Sequence, residues 1–136
     1  MVQDLIKLVE HKHKIDLKRG ESKYFDINWL LNEIALEIEE VRAEIKDKNS
    51  AKLEDELGDI LWAWLILVEK LKNRGLVSSH KNIFKRALKK YRERVLPLTG
   101  TSIDSKIWKE VKRKQKIKLE KESMKNLYSN FPLEEG

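Results

Sequence analysis

The chain has no cysteine, which excludes disulfides, thiolate zinc sites and cysteine nucleophiles. A reducing, cytoplasmic setting is the expectation that follows. Only 5 glycines and 2 prolines punctuate the 136 residues, so breaks are few and long helices are expected. Long apolar runs are missing as well. The longest, Ile60 to Val68, is about half of the ~20 residues a membrane span needs. The opening stretch MVQDLIKLVEHKHK mixes charge with apolar residues throughout, so neither a signal peptide nor a membrane partner is expected. There is no glycine-rich phosphate loop, serine-nucleophile constellation or zinc motif. A chain of this length is expected to form one domain, residues 1–136, with a core of its own.

What the chain does have is charge, unevenly placed. The formal net charge is +6, yet Asp26 to Asp59 holds eleven acidic residues against four basic ones. Ser79 to Arg94 reverses this, with seven basic residues against Glu93, and Ser105 to Lys125 has nine basic against three acidic. A site that holds a cation and a polyphosphate together needs both signs, although charged helical faces are common.

Apolar residues recur at helical spacing almost throughout, and an all-α bundle of about five helices follows. The first helix is expected over Val2 to Ile15, with a loop from Asp16 to Lys23. The second opens at Asp26 as N-cap and reaches about Lys48, burying Leu30, Ile34, Ile38, Val41 and Ile45. The third runs from Ser50 to a stop at Gly75, and its unbroken apolar half is either central to the fold or buried between subunits. A fourth begins at Ser78 or Ser79 and ends near Val95. A fifth, strongly basic, spans about Asp104 to Tyr128. The core of the domain is placed at about 26–97. His11, His13 and His80 share no ligand spacing with the acidic residues and are expected to be solvated.

Two acidic pairs stand out. Glu37 and Glu40 are three residues apart on the second helix, and Glu56 and Asp59 are three apart on the third. That spacing stacks like charges on one helical face, which is unfavourable by a few tenths of a kcal/mol per pair unless a cation neutralises them. All four also border apolar stripes, where an unpaired carboxylate is costly. Magnesium, which takes oxygen ligands, suits such a set. A single pair of this kind is more often a surface pair answered by a neighbour such as Arg42, Lys46 or Lys52. Two pairs on consecutive helices point to a metal site. Glu33, one turn before Glu37, is either an outer member of the same face or a solvated neighbour.

The stretches ALEIEEVRAEI and KLEDELGDILWAWLILVEKL resemble the MazG-type nucleoside triphosphate pyrophosphohydrolases of the all-α NTP pyrophosphatase superfamily, whose signature is ExxE, a spacer, then ExxD within ELGD and an apolar run. KKYRERVLP is similar to the family's basic KLxRRHPHVF segment, which implies phosphate contacts at Lys90 and Arg94. IWKEVK is similar to the family's W-x-x-x-K segment, so Trp108 and Lys112 are implied as nucleotide contacts, and Lys52 matches a further basic position. The likeness covers about Asp26 to Pro132. Two segments depart from the pattern. KYFDINWLL stands where the family has Cys-Pro-Trp-Asp, and Val95-Leu96-Pro97 replaces His-Pro-His.

The resemblance implies hydrolysis of an NTP or dNTP to NMP and pyrophosphate, with Glu37, Glu40, Glu56 and Asp59 as both metal ligands and catalytic residues. Mg²⁺ is the implied cofactor, with Mn²⁺ as a substitute, and water activated by the metal is expected to attack the α-phosphorus. Clearing damaged nucleotides and adjusting normal pools both stay open as roles. The implied assembly is a homodimer or a dimer of dimers. A dUTPase-like or phosphoribosyl-ATP pyrophosphatase-like specificity is the alternative on the same fold. A helical nucleic-acid-binding module using the basic fifth helix is the alternative of another class, weakened by the acidic face that repels a polyanion. Trp62 and Trp64 are expected in the core or an interface.

Overall fold

A computed structural model of the protein describes residues 1–129, so the expected likeness out to Pro132 extends past the described residues. The described residues form five α-helices and one short 3-10 turn, with no strand. The chain divides into two compact units, the first Met1–Asn82 and the second starting at Ile83. The expected all-α architecture is present.

Helix α1, Val2–Arg19, is longer than its apolar spacing indicated, and it absorbs the first residues of the expected loop. Its end is set by Gly20, which adopts φ 69° and donates its N–H to the Asp16 carbonyl at 3.0 Å. That left-handed cap suits a residue without Cβ. A 3-10 turn, Ser22–Phe25, leads to α2, Ile27–Ala43. Asp26 caps α2 as expected, its Oδ1 accepting from the N–H groups of Asn28 at 2.9 Å and Trp29 at 3.3 Å. α2 ends before Lys48 because the chain must turn back. Lys48 takes φ 56°, and Asn49 Nδ2 donates to the Glu44 carbonyl at 2.8 Å and to Glu44 Oε2 at 2.6 Å. α3, Ser50–Asn73, then packs along α2 and also against α1. Its end carries the expected glycine stop: Gly75 has φ 76° and the Leu76 N–H donates to the Leu71 carbonyl at 3.0 Å.

The core of this unit joins Ile6 and Val9 of α1, Leu30 of α2 and Leu65 to Val68 of α3. The second half of α3 is buried from Leu65 to Lys70, whereas the start of its apolar run, Ile60 to Trp64, is at most half-buried. In its first half Leu57 and Leu61 are 49% and 46% exposed. The stripe on α2 is likewise only partly covered, with Leu30 buried but Ile38 exposed, and Ile45 lies exposed beyond the end of the helix.

The expectation of solvated histidines is wrong for two of three. His13 and His80 are buried, whereas His11 is exposed. His13 Nδ1 accepts from Lys70 Nζ at 2.9 Å, because an ammonium can only donate. Burial, and then the Lys70 charge, hold the His13 imidazole below its usual range, so it stays neutral. His80 Nε2 donates to the Leu65 carbonyl at 2.9 Å. Lys70 also pairs with Asp16 Oδ2 at 2.7 Å, both side chains almost fully buried, which ties α3 to α1.

α4, His80–Val95, starts in the first unit from its Ser79 cap, whose Oγ accepts from the Asn82 N–H at 3.0 Å, and continues into the second. α5, Asp104–Ser129, starts where the Asp104 carboxylate accepts from the N–H groups of Thr99 at 2.8 Å and Gly100 at 2.7 Å. Arg86 of α4 makes a two-pronged pair with Glu122 of α5, at 2.7 and 3.3 Å. No helix among the described residues is long and apolar enough to cross a membrane.

Candidate metal centre

The turn between α2 and α3 brings the two acidic pairs together. Glu37, Glu40, Glu56 and Asp59 each offer a carboxylate oxygen, and these four atoms lie within 4.8 Å of one another. Among the described residues this is the one grouping of potential ligands so arranged. Glu37 and Glu56 are half-buried, Glu40 and Asp59 exposed.

Arg42 pairs with Glu39 at 3.2 Å and Lys46 with Glu44 at 4.0 Å, and among the described residues no ion pair reaches the four. Glu37 Oε2 and Glu56 Oε2 are buried without a hydrogen-bond partner. The electrostatic consequence is clear in Glu37, whose carboxyl is pushed up to about 7. Burial is the main cause, followed by its hydrogen bond with Glu40 and the charges of Glu40, Asp59 and Glu56. Glu56 is raised as well, by burial, by Glu40 and by the charges of Glu40, Asp59 and Asp55. Oxygen-only donors with orphaned buried atoms fit a hard divalent cation such as Mg²⁺.

Glu33 is half-buried one turn before Glu37. It lines a cavity of about 300 Å³ that Glu37 and Asp59 border as well. Trp29 and Trp62 form walls of this cavity, and Trp62 is half-buried rather than a core residue. Lys12 and Asp16 of α1, and Tyr24, line it as well. Sequence reasoning missed this cavity. Part of the signal was available, since Trp29, Glu33 and Glu37 repeat every four residues, and Trp62 follows Asp59 by three, so each set shares a helical face. Nothing local marked Lys12 or Asp16.

The remaining expected residues fall in different places. Lys52 is exposed on the first turn of α3, four residues before Glu56. Lys90, Arg94, Trp108 and Lys112 belong to the second unit. Within that unit Arg94 and Trp108 meet, the guanidinium carbon lying 5.5 Å from the indole centroid and 5.6 Å from that of Tyr91. Arg94 Nε donates to Gln115 Oε1 at 2.8 Å, and Gln115 Nε2 donates to the Lys90 carbonyl at 3.0 Å. Gln115 carried no sequence signal. Lys90 and Lys112 are exposed.

A family model described as the MazG nucleotide pyrophosphohydrolase domain matches residues 25–96, which includes all four acidic residues. No curated protein and no solved structure matches the chain significantly.

Proposed function

We propose, from the premise that the chain belongs to the MazG nucleotide pyrophosphohydrolase family, that it hydrolyses a nucleoside or deoxynucleoside triphosphate to the monophosphate and pyrophosphate. The observation that carries this reading is the quartet itself. Four carboxylates converge within 4.8 Å, two of their oxygens buried and unpartnered, inside the matched segment.

Glu37, Glu40, Glu56 and Asp59 are the proposed ligands of Mg²⁺, with Mn²⁺ as a substitute. When bound, such an ion supplies neutralisation of polyphosphate charge and acidifies water for attack on the α-phosphorus. The protein's own part is to hold these carboxylates on two packed helices, where a proton or a cation relieves their mutual repulsion. A glutamate of the cluster takes the proton released by the attacking water.

Lys52, Lys90, Arg94, Trp108 and Lys112 are proposed nucleotide contacts. Family resemblance supports them, and for Arg94 so does the hydrogen bond to Gln115 that orients its guanidinium. A homodimer or dimer of dimers is proposed as well, supported by Leu36, Ile38, Leu57 and Leu61 lying exposed on α2 and α3.

The test is a panel of NTPs and dNTPs, dUTP and phosphoribosyl-ATP included, incubated with Mg²⁺ and resolved by chromatography. Monophosphate and pyrophosphate in equal amounts are expected. Release of inorganic phosphate alone, or no turnover of any substrate, overturns the reading.

A further inference from the structure

Helix α5, Asp104–Ser129, carries more charge than the proposed hydrolysis uses. It holds nine basic residues against four acidic ones, and of these charged residues only Lys112 is a proposed nucleotide contact. Lys114, Lys118, Lys121 and Lys125 follow one another at intervals of four, three and four residues, so they line one side of the helix. All four are exposed. At the rise of an α-helix this row is about 17 Å long. Lys112 stands two residues before Lys114 and so faces another way.

Like charges stacked in this manner are unfavourable unless acids answer them, and the neighbouring acids are engaged elsewhere. Glu110 lies four residues before Lys114, but its two carboxylate oxygens accept from Arg113 at 2.8 and 3.1 Å. Glu122 lies four residues after Lys118 and three before Lys125, but its two oxygens accept from Arg86 of α4 at 2.7 and 3.3 Å. Among the described residues none of the four lysines has an ion pair. Two arginines thus take the acids and leave a row of ammonium groups facing water. The other side of α5 is mixed. Lys106, Lys109 and Lys116 are exposed there too, but Glu120, one turn after Lys116, shares their side.

The occupant that fits is a regular polyanion. Point charges of one sign, each about one helical turn from the next, suit the repeated phosphates of a nucleic-acid backbone. A single triphosphate is too short to reach from Lys114 to Lys125. No aromatic residue lies on α5 between Trp108 and Tyr128, so the row has no surface on which unpaired bases can stack, and this favours a duplex. The major groove of B-form DNA admits a helix between its phosphate rows, whereas that of A-form RNA is too narrow. A bilayer fits poorly. Leu119 stands across the helix from Ile117, and Glu120 and Lys121 separate Ile117 from Met124, so no continuous apolar face adjoins the lysines.

We propose that the side of α5 formed by Lys114, Lys118, Lys121 and Lys125 is a sequence-independent docking surface for the phosphate backbone of double-stranded DNA. This goes beyond the proposed hydrolysis and does not depend on it.

The experiment follows the anisotropy of a short fluorescent DNA duplex of mixed sequence, titrated with the full chain at about 50 to 200 mM salt. Binding should weaken with salt, with a log–log slope of about −3 to −4 from four phosphate contacts. The triple variant Lys118→Gln, Lys121→Gln, Lys125→Gln should reduce that slope by about 3 and weaken binding by about tenfold or more at the lowest salt, equally on any sequence. The charge-matched triple variant Lys106→Gln, Lys109→Gln, Lys116→Gln should change the slope by less than about 1. Glutamine keeps the helix propensity, so far-UV circular dichroism and triphosphate turnover should be the same in both variants as in wild type. Absence of duplex binding at the lowest salt overturns the proposal. Equal losses in the two variants also overturn it, because they mark bulk charge rather than this row. Tighter binding of single-stranded DNA or of an RNA duplex, or lysine-dependent binding of phosphatidylserine vesicles without duplex binding, overturns it as well.

Discussion

A proton and a divalent cation compete for the same oxygens at Glu37. Its carboxyl is raised from 4.5 to about 7, first by burial and then by its acidic neighbours. A folded value above the unfolded one means that the metal-free protein is most stabilised by this group at low pH. That contribution is fully present below about 4.5 and is lost as pH rises through about 7. Thermal melts of metal-free protein should therefore show a fall in stability across that window, and saturating Mg²⁺ should remove it. Metal affinity should rise over the same window and level off above it, which calorimetry across a pH series reads directly. A flat affinity between pH 5 and 8 would count against Glu37 as a ligand. The quartet was legible because both members of each pair lie one turn apart on a helix, so spacing alone placed them on a face. Asp16 and His13 were not legible, since their partner Lys70 is 54 and 57 residues away and no local pattern encodes it.

Helices α1 and α3 are joined by the buried Lys70–Asp16 pair, with Lys70 Nζ also 4.6 Å from the Phe25 ring centroid. Removing Lys70 leaves Asp16 paired with Lys12 alone and its buried Oδ2 without a partner, so Lys70→Met should destabilise the fold by about 1–3 kcal/mol. Denaturant unfolding checks this, and a loss below about 1 kcal/mol would show that water reaches the pair. The α2–α3 turn makes a second element-scale prediction. Asn49 bonds twice to Glu44 and so fixes the reversal that brings the pairs together. Asn49→Ala should lower stability by about 1 kcal/mol, and it should weaken Mg²⁺ binding although residue 49 is no ligand. Unchanged affinity would separate the turn from the site. Gly58 sits inside α3 where an added Cβ meets nothing within 4 Å. Gly58→Ala should thus stabilise the metal-free protein by about 1 kcal/mol, seen as a rise in denaturant midpoint. The extent of α1 was underread because apolar spacing fades after Ile15, while the helix continues to its glycine cap at Gly20.

For the molecule as a whole, charge of the two signs is separated along the chain. The acidic segment lies in the first unit and the basic helix α5 in the second. The exposed leucines on α2 and α3 predict self-association, and light scattering at micromolar concentration should report at least a dimer; monomer alone would contradict it. The most direct test of hydrolysis at this quartet uses heavy-oxygen water with Mg²⁺ and the preferred triphosphate, on wild type and on Glu40→Gln. The label should appear in the nucleoside monophosphate and be absent from pyrophosphate, and Glu40→Gln should reduce turnover more than about a hundredfold. Label in the pyrophosphate, or full activity in Glu40→Gln, would contradict attack on the α-phosphorus at the site formed by Glu37, Glu40, Glu56 and Asp59.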